Sequence, residues 1–318
     1  MFIGLTGANG FVGETIANLL IKRGYNFRII GRKFPNNLLQ FSRRNFFEIG
    51  EINCKTNWIF ALQGVDTVIH CAAKYDINPK ESFFSNLTNL RKVNVDGIVQ
   101  LMNCASKLKV KRIVYISSTK VYGKNIKNIV FNSNDIPNPV DPYGISKWEA
   151  EKCLIELGKK LNIDVVIIRS PPVYGPGVKG KFLNLINLIY KGIPLPFGSL
   201  KKLYSFVSVF NLADLAILCA DHAKASNETF LVSDNEDLSL AQLITKISIM
   251  MGRSPRLLPM PIYLLKLLGF FTKNSLEIDN LARSFQIDIS KTTYNLKWSP
   301  IISLDEALLK TIKWHQFN

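Results

Sequence analysis

The residues that most constrain the fold stand near the start. "FIGLTGANGFVGETIANLLIKRG" carries Gly7, Gly10 and Gly13 at three-residue spacing between a strand-like apolar run and a helix-like one. A strand, a glycine turn and a helix in that order predict the first βα unit of a doubly wound parallel sheet, the Rossmann fold. Gly7 permits the tight turn, Gly10 leaves room for a pyrophosphate against the backbone, and Gly13 lets the helix pack closely on the strand. The helix amino terminus then points at the anion. The expectation is a dinucleotide site built on Gly7, Asn9, Gly10, Phe11, Val12 and Gly13.

The rest of the first half repeats this alternation. "NFRIIGR", "VDTVIHCAA", "KRIVYISS" and "DVVIIRS" are almost continuous apolar runs, as parallel strands covered on both faces should be, and helix-like stretches separate them. Beyond residue 170 the pattern changes to a proline- and glycine-rich loop, "SPPVYGPGVKG", followed by a helix through "FLNLINLIYKG", a loop and a short strand at "YSFVSV". "TFLVSD", residues 229 to 234, reads as one more core strand. The expected organisation is a dinucleotide-binding Rossmann domain over 1–170, completed by that later strand. A smaller, interleaved C-terminal α/β lobe, mainly 171–318, would bind substrate.

Composition limits the partners. A net charge of +16 would suit nucleic acid, but the basic residues are spread along the whole chain, so an anionic small substrate and cofactor account better for the field. Five cysteines without CxxC spacing and three histidines far apart in sequence point to neither a disulfide framework nor a zinc site. The chain opens directly on a strand with no signal-like segment, which predicts a cytoplasmic protein. The run "PIYLLKLLGFF", residues 261 to 271, is about half the roughly 20 residues of a membrane span and is interrupted by Lys266 and Gly269. It reads as a helix packed on the body, with attachment to a membrane surface as the alternative and no integral membrane segment.

The choice of dinucleotide turns on the end of the second strand, where an acidic side chain would hold the ribose of NAD. No acidic residue lies between Glu14 and Glu48, and the strand ends "IIGRK". Arg32 and Lys33 can meet a 2′-phosphate, which favours NADP(H) and leaves NAD(H) open.

"DPYGISKWEA" places Tyr143 and Lys147 four residues apart, on one face of an expected helix from Pro142 to Leu161. A tyrosine with its ordinary pKa of about 10 is a poor base at neutral pH. An ammonium nearby stabilises the phenolate and brings the group toward useful proton exchange. Upstream, "KRIVYISS" ends in Ser117 and Ser118 at a strand carboxyl end, where ligands sit in open α/β sheets and a hydroxyl can hold a substrate alcohol or carbonyl.

"TGANGFVG", "HCAA", "NVDG", "VYISSTKVYG", "PYGISK", "VYGPG" and "DISKTTYNLKWSP" run in order across nearly the whole chain. Together they resemble the extended short-chain dehydrogenase/reductase family, which holds the nucleotide-sugar epimerases, dehydratases and ketoreductases. The resemblance implies Tyr143 as the catalytic acid/base, Lys147 as its partner and a holder of the nicotinamide ribose, and Ser118, with Thr119 beside it, at the substrate. It also implies Glu51 and Ile52 at the adenine, Ala72 and Ala73 along the pyrophosphate, and Asn94 as support near the nicotinamide. A UDP-sugar substrate and a homodimer, paired through the helices after Asn94 and around Tyr143, follow from the same resemblance. Two positions depart from the family: Pro172 replaces an Asn, and Tyr204 stands where a basic residue is common. The diphosphate contacts then fall to Lys179, Lys181, Lys201, Lys202 and Arg283.

Family dehydratases carry a Thr-Asp-Glu run where this chain has Ser118, Thr119 and Lys120, so the carboxyl acid and carboxylate base for 4,6-dehydration are missing. Two reactions at C4 remain. Epimerisation returns its hydride to the sugar and suits tightly held NAD, whereas reduction consumes NADPH. The basic end of the second strand and the "RSPPVYGPGVKGKF" and "LPFG" segments resemble reductases of bacterial surface-polysaccharide and lipopolysaccharide biosynthesis that form UDP-N-acetylquinovosamine. The expectation is therefore 4-keto reduction of a UDP-4-keto-6-deoxy-HexNAc. A UDP-glucose or UDP-GlcNAc 4-epimerase is the alternative, and a non-catalytic NADP-binding sensor or scaffold the third.

Overall fold

The structure, a computed structural model, describes residues 1–35, 45–123, 130–265 and 284–317. Its centre is a seven-stranded parallel sheet. In chain order the strands are β1 (Ile3–Thr6), β2 (Phe27–Gly31), β3 (Phe46–Glu48), β4 (Thr67–His70), β5 (Arg112–Ser118), β6 (Asp164–Ser170) and β7 (Thr229–Leu231). Across the sheet they run β7-β6-β5-β4-β1-β2-β3, every neighbouring pair parallel, so the order reverses between β1 and β4. That reversal opens a crevice at the strand carboxyl ends, the ligand position of a doubly wound fold.

Helices cover both faces. On one side lie α1 (Phe11–Lys22) and α6 (Val209–Cys219), which pack on each other. Gly13, Ile16, Ala17 and Leu20, at positions i, i+3, i+4 and i+7, turn the buried face of α1 onto the sheet. On the other side lie α2 (Phe83–Arg91), α3 (Gly97–Lys107) and α4 (Pro142–Leu161). A π-helical turn over Lys92–Asp96 joins α2 to α3, an irregularity that recurs at functional positions. Helix α4 matches its sequence expectation from end to end: Asp141 caps it by accepting from the Gly144 amide at 2.8 Å, Pro142 takes the first turn, and Asn162 closes it in the left-handed region.

The second half contributes both to the sheet and to a lobe with its own core. α5 (Gly180–Tyr190), α7 (Leu240–Met250) and the C-terminal helix Leu304–Phe317 bury Ile186, Ile189, Ile244, Ile247 and Leu308 together. Strand β7 returns from this half to pair with β6, and the side chain just beyond it ties the parts together. Asp234 accepts from the Tyr174 hydroxyl at 2.6 Å, the Asn211 amide at 2.7 Å and the Ser208 backbone at 2.8 Å. Trp298, from the terminal motif, donates to Asp214 at 2.7 Å, and Arg23 of α1 pairs with the same carboxylate.

Among the described residues no helix is long and apolar enough to cross a membrane, and no cluster of three metal-ligating side chains occurs. Of the apolar run 261–271, only 261–265 lies within the described residues; there Leu265 is buried and Tyr263 is exposed.

Candidate active site

The glycine turn is packed too closely for side chains at two of its three glycines. Gly7 has φ +76°, and a Cβ there would lie 2.7 Å from the Ala72 amide nitrogen, while one on Gly13 would run into the Gly7 carbonyl. Gly10 donates to that carbonyl at 2.9 Å and precedes α1 as an N-cap residue with no side chain to cap the first amides of the helix. Ala72 is thus brought against the turn, with Ala73 exposed just beyond it. The Ala72 amide donates to the Thr6 hydroxyl at 3.3 Å, and that hydroxyl is 2.9 Å from His70 Nδ1. Burial pushes the His70 imidazole down to about 3, so the ring is a neutral packing group below the site. Phe11 packs beside Gly177, where a Cβ would lie 3.6 Å from its ring, and so joins the turn to the loop of the second lobe.

At the end of β2 the sequence expectation is altered. Arg32 and Lys33 are exposed as expected, and the Lys33 carbonyl accepts from Asn9 at 2.9 Å. The loop after β3, however, carries Glu51 to within 4.0 Å of Arg32. An acidic group therefore does stand at this rim, supplied by the fold and not by the β2 segment. Ile52, next to it, packs on Gly97 at the start of α3.

Asn94 holds two walls together. From the π-helical turn, its buried amide accepts from the Lys74 backbone at 2.8 Å, and donates to the Lys74 carbonyl at 2.9 Å and to Ser146 Oγ at 3.0 Å. Ser146 in turn donates to the Tyr143 carbonyl at 2.8 Å. The segment following Ala73 is therefore fixed to the helix that carries Tyr143 and Lys147.

Tyr143, Lys147 and Glu151 follow one another at four-residue intervals along α4. Lys147 is buried, donates from Nζ to the Ile116 carbonyl at 2.7 Å, and lies 3.9 Å from the Tyr115 ring centroid. Burial pushes its ammonium down to about 7, against the opposing pull of Glu151 and Cys71. Burial also raises the Tyr143 phenol, with Tyr75 and Asp141 adding to the effect. The Tyr75 ring meets Tyr143 edge to face at 4.8 Å, and Lys120 Nζ stands over both rings, 5.5 Å from Tyr143 and 5.2 Å from Tyr75, with Asp141 3.6 Å away.

The two serines at the end of β5 separate, as alternate strand positions must. Ser117 points inward and donates to Glu151, so it is not a substrate group. Ser118 is half-buried and caps the short turn Thr119–Tyr122 by accepting from the Lys120 amide at 3.2 Å. Thr119 is buried at 3%. Lys179, Lys181 and Lys201 stand exposed on the second lobe, Lys202 is half-buried, and Arg283 lies outside the described residues. Tyr75, Tyr115 and Glu151 were not singled out from the sequence. Of these only Glu151 left a signal there, the continuation of the Tyr143 and Lys147 spacing.

Comparison with known proteins identifies the family. Residues 3–233 match the NAD dependent epimerase/dehydratase family. A UDP-glucose 4-epimerase of Vibrio cholerae is 40% identical over 311 residues, covering 96% of this chain and 93% of that protein. An N-acetyl-alpha-D-glucosaminyl-diphospho-ditrans,octacis-undecaprenol 4-epimerase of Escherichia coli O157:H7 is 28% identical over 247 residues, 76% of this chain and 70% of the other. Among solved structures, UDP-glucuronic acid 4-epimerase from Bacillus cereus, in complex with UDP-glucuronic acid and NAD, superposes with a TM-score of 0.81 at 22% identity over 100% of both chains. UDP-glucose 4-epimerase from Thermotoga maritima, with UDP-glucose, gives 0.77 at 24% identity over 100% of this chain and 99% of that one. The family that the ordered motifs resemble is thus the one matched along the sheet and its crevice, and the chain belongs to the NAD dependent epimerase/dehydratase family.

Proposed function

We propose that this chain is an NAD-dependent UDP-sugar 4-epimerase. The observation that carries the reading is Tyr143 and Lys147 on one face of α4 at the end of β5, in a chain 40% identical to a UDP-glucose 4-epimerase over 96% of its length. Glu51 supports NAD over NADP, because a carboxylate beside Arg32 disfavours a 2′-phosphate and can accept from a ribose hydroxyl. The basic β2 end that pointed to reduction is thereby partly neutralised, and 4-keto reduction of a UDP-4-keto-6-deoxy-HexNAc becomes the second reading. It keeps the support of the exposed Arg32 and Lys33 side chains.

When bound, the nicotinamide supplies reversible hydride exchange at C4 of the sugar. The chain's own residues handle the proton and the orientation. Tyr143 exchanges the proton of the C4 hydroxyl at its phenol oxygen, and Ser118 holds that hydroxyl in line. Burial alone works against the phenolate, so a cation must offset it. Lys147, the next group along the helix face, takes that part in its protonated form, which a phenolate nearby favours, and Lys120 adds a second positive charge above the ring. Gly7, Gly10 and Ala72 leave the space for the pyrophosphate, and Glu51 and Ile52 hold the adenosine end. The lobe from 171 onward encloses the sugar nucleotide, with Lys179, Lys181 and Lys201 serving the diphosphate. Two copies pair through the outer faces of α3 and α4, and the enzyme works in the cytoplasm.

Tyr143→Phe tests the assignment. It should lower interconversion of UDP-glucose and UDP-galactose by roughly 10²–10⁴-fold while NAD still binds. Full turnover by this variant would refute the assignment of Tyr143.

A further inference from the structure

The sequence holds no acidic residue between Asp164 and Asp214, nor between Asp237 and Glu277. The fold brings these two stretches together on the second lobe, at the ends of α5 and α7. The Leu195 amide donates to the Arg256 carbonyl at 2.8 Å, and the Leu258 amide to the Leu195 carbonyl at 2.8 Å, which binds the 253–258 loop along 192–198. Both guanidinium groups stand over Gly192: a Cβ there would lie 3.7 Å from Arg256 Nη1 and 3.8 Å from Arg253 Nη1. Arg256 donates to the Gly192 carbonyl at 3.0 Å, and Arg253 lies 5.0 Å above the Tyr190 ring. With Lys191 and Ser254 they line a cavity of about 260 Å³. Among the described residues, no ion pair involves Lys191, Arg253 or Arg256.

Exposed apolar side chains flank these cations along the chain, with Tyr190 beneath Arg253 and Ile193 in the cavity wall. Tyr190, Ile193, Ile249 and Leu258 are exposed, Ile249 to 64%. Scattered exposed aliphatics are ordinary, but several beside arginines that have no ion pair among the described residues mark an interaction surface. Tyrosine and arginine both present an apolar body and a polar end, the property of side chains that sit at a membrane interface. The cavity is smaller than the roughly 300 Å³ at which drug-sized ligand pockets begin, and its cationic rim suits a single phosphate group. Tyr190 and Ile249 stand at the ends of α5 and α7, and Ile193 and Leu258 in the loops that follow, a placement that suits shallow insertion among headgroups.

We propose that this face, formed by the ends of α5 and α7 with the 253–258 loop, seats the protein on a lipid bilayer bearing acidic headgroups. Charge complementarity selects the bilayer: the surface is cationic with no acidic residue in either stretch that forms it, and the anionic leaflet attracts each Lys and Arg near it. None of these residues belongs to the candidate active site, so the proposal concerns where the enzyme works and holds whichever sugar it turns over.

The full-length protein should sediment with vesicles of phosphatidylcholine and phosphatidylglycerol, not with phosphatidylcholine alone, and the binding should weaken as salt rises. In the double variant Arg253→Glu/Arg256→Glu, partition should fall by more than roughly tenfold. Ile249→Ser, which leaves the charge intact, should also weaken it. Melting temperature and turnover of a soluble UDP-sugar serve as fold controls and should not change. The proposal is overturned if neither vesicle sediments the protein, if the variants sediment as the wild type does, or if polyglutamate binds this face while the acidic vesicles do not.

Discussion

Glu151 and Arg169 form an ion pair inside the protein, with Nη2 2.7 Å from Oε2 and side chains 0% and 5% exposed. Arg169 also donates from Nη1 to the Tyr122 hydroxyl at 2.8 Å, and Ser117 donates to Glu151. The pair locks α4 to β5 and β6 two turns along the helix from Tyr143, and so sets the register at which Tyr143 and Lys147 reach the crevice.

Breaking the pair from one side should be costly. Glu151→Gln leaves a buried guanidinium uncompensated and should lower stability by about 3–5 kcal/mol. Glu151→Leu combined with Arg169→Met should recover most of that loss. Denaturant unfolding of the three proteins checks both statements.

Lys147 should impose a pH dependence on the stability of the protein without ligands. Its folded pKa is about 7 against an ordinary 10.5, so between those values the unfolded chain holds the proton and the folded chain does not. Stability therefore rises with pH across that window, and the full penalty applies below its lower end. Lys147→Met removes the penalty. Its stability advantage over the wild type, read from urea midpoints, should be largest below pH 7 and shrink toward pH 10; a constant difference would count against a depressed Lys147.

The glycine turn predicts a contrast between two alanine substitutions. Gly13→Ala puts a methyl into the Gly7 carbonyl and should abolish dinucleotide binding, measured by calorimetric titration. Gly24→Ala, at φ +71° with nothing within 4 Å, should cost only about 1–2 kcal/mol of backbone strain and leave binding intact.

Much of this was legible in the sequence, for physical reasons. β1, β4, β5 and β6 are near-continuous apolar runs because they are covered on both faces, and α4 carries its own start and stop signals at Asp141, Pro142 and Asn162. β3 was not legible: it is three residues long with no buried position. α2 was missed because its apolar residues alternate with Asn, Ser and Thr, which carry little helical periodicity. At the site, residues sharing one element could be read together, as Tyr143 and Lys147 were. Groups joined only by the sheet could not. Arg32 and Glu51 meet across the end of β2, and Lys120 reaches Tyr143 from another element. Ser117 and Ser118 were adjacent in sequence, and only the pleat separated the inward hydroxyl from the other.

The Arg32 and Glu51 contact predicts cofactor preference. The wild type should bind NADH more tightly than NADPH, and Glu51→Gln should shift the ratio of dissociation constants toward NADPH by roughly tenfold, the scale of one charged contact. Fluorescence titration of both cofactors checks it. An unchanged ratio would remove Glu51 from the discrimination.

The central claim is that the hydride returns to the sugar. The direct measurement supplies UDP-glucose or UDP-N-acetylglucosamine with a trace of NAD and no reductant, and follows the sugar by NMR. The account predicts a steady approach to a mixture of the two C4 epimers with no net change in nicotinamide absorbance. A protein that left both sugars untouched, yet consumed NADPH in proportion to an added UDP-4-keto sugar, would contradict it and establish the reductase.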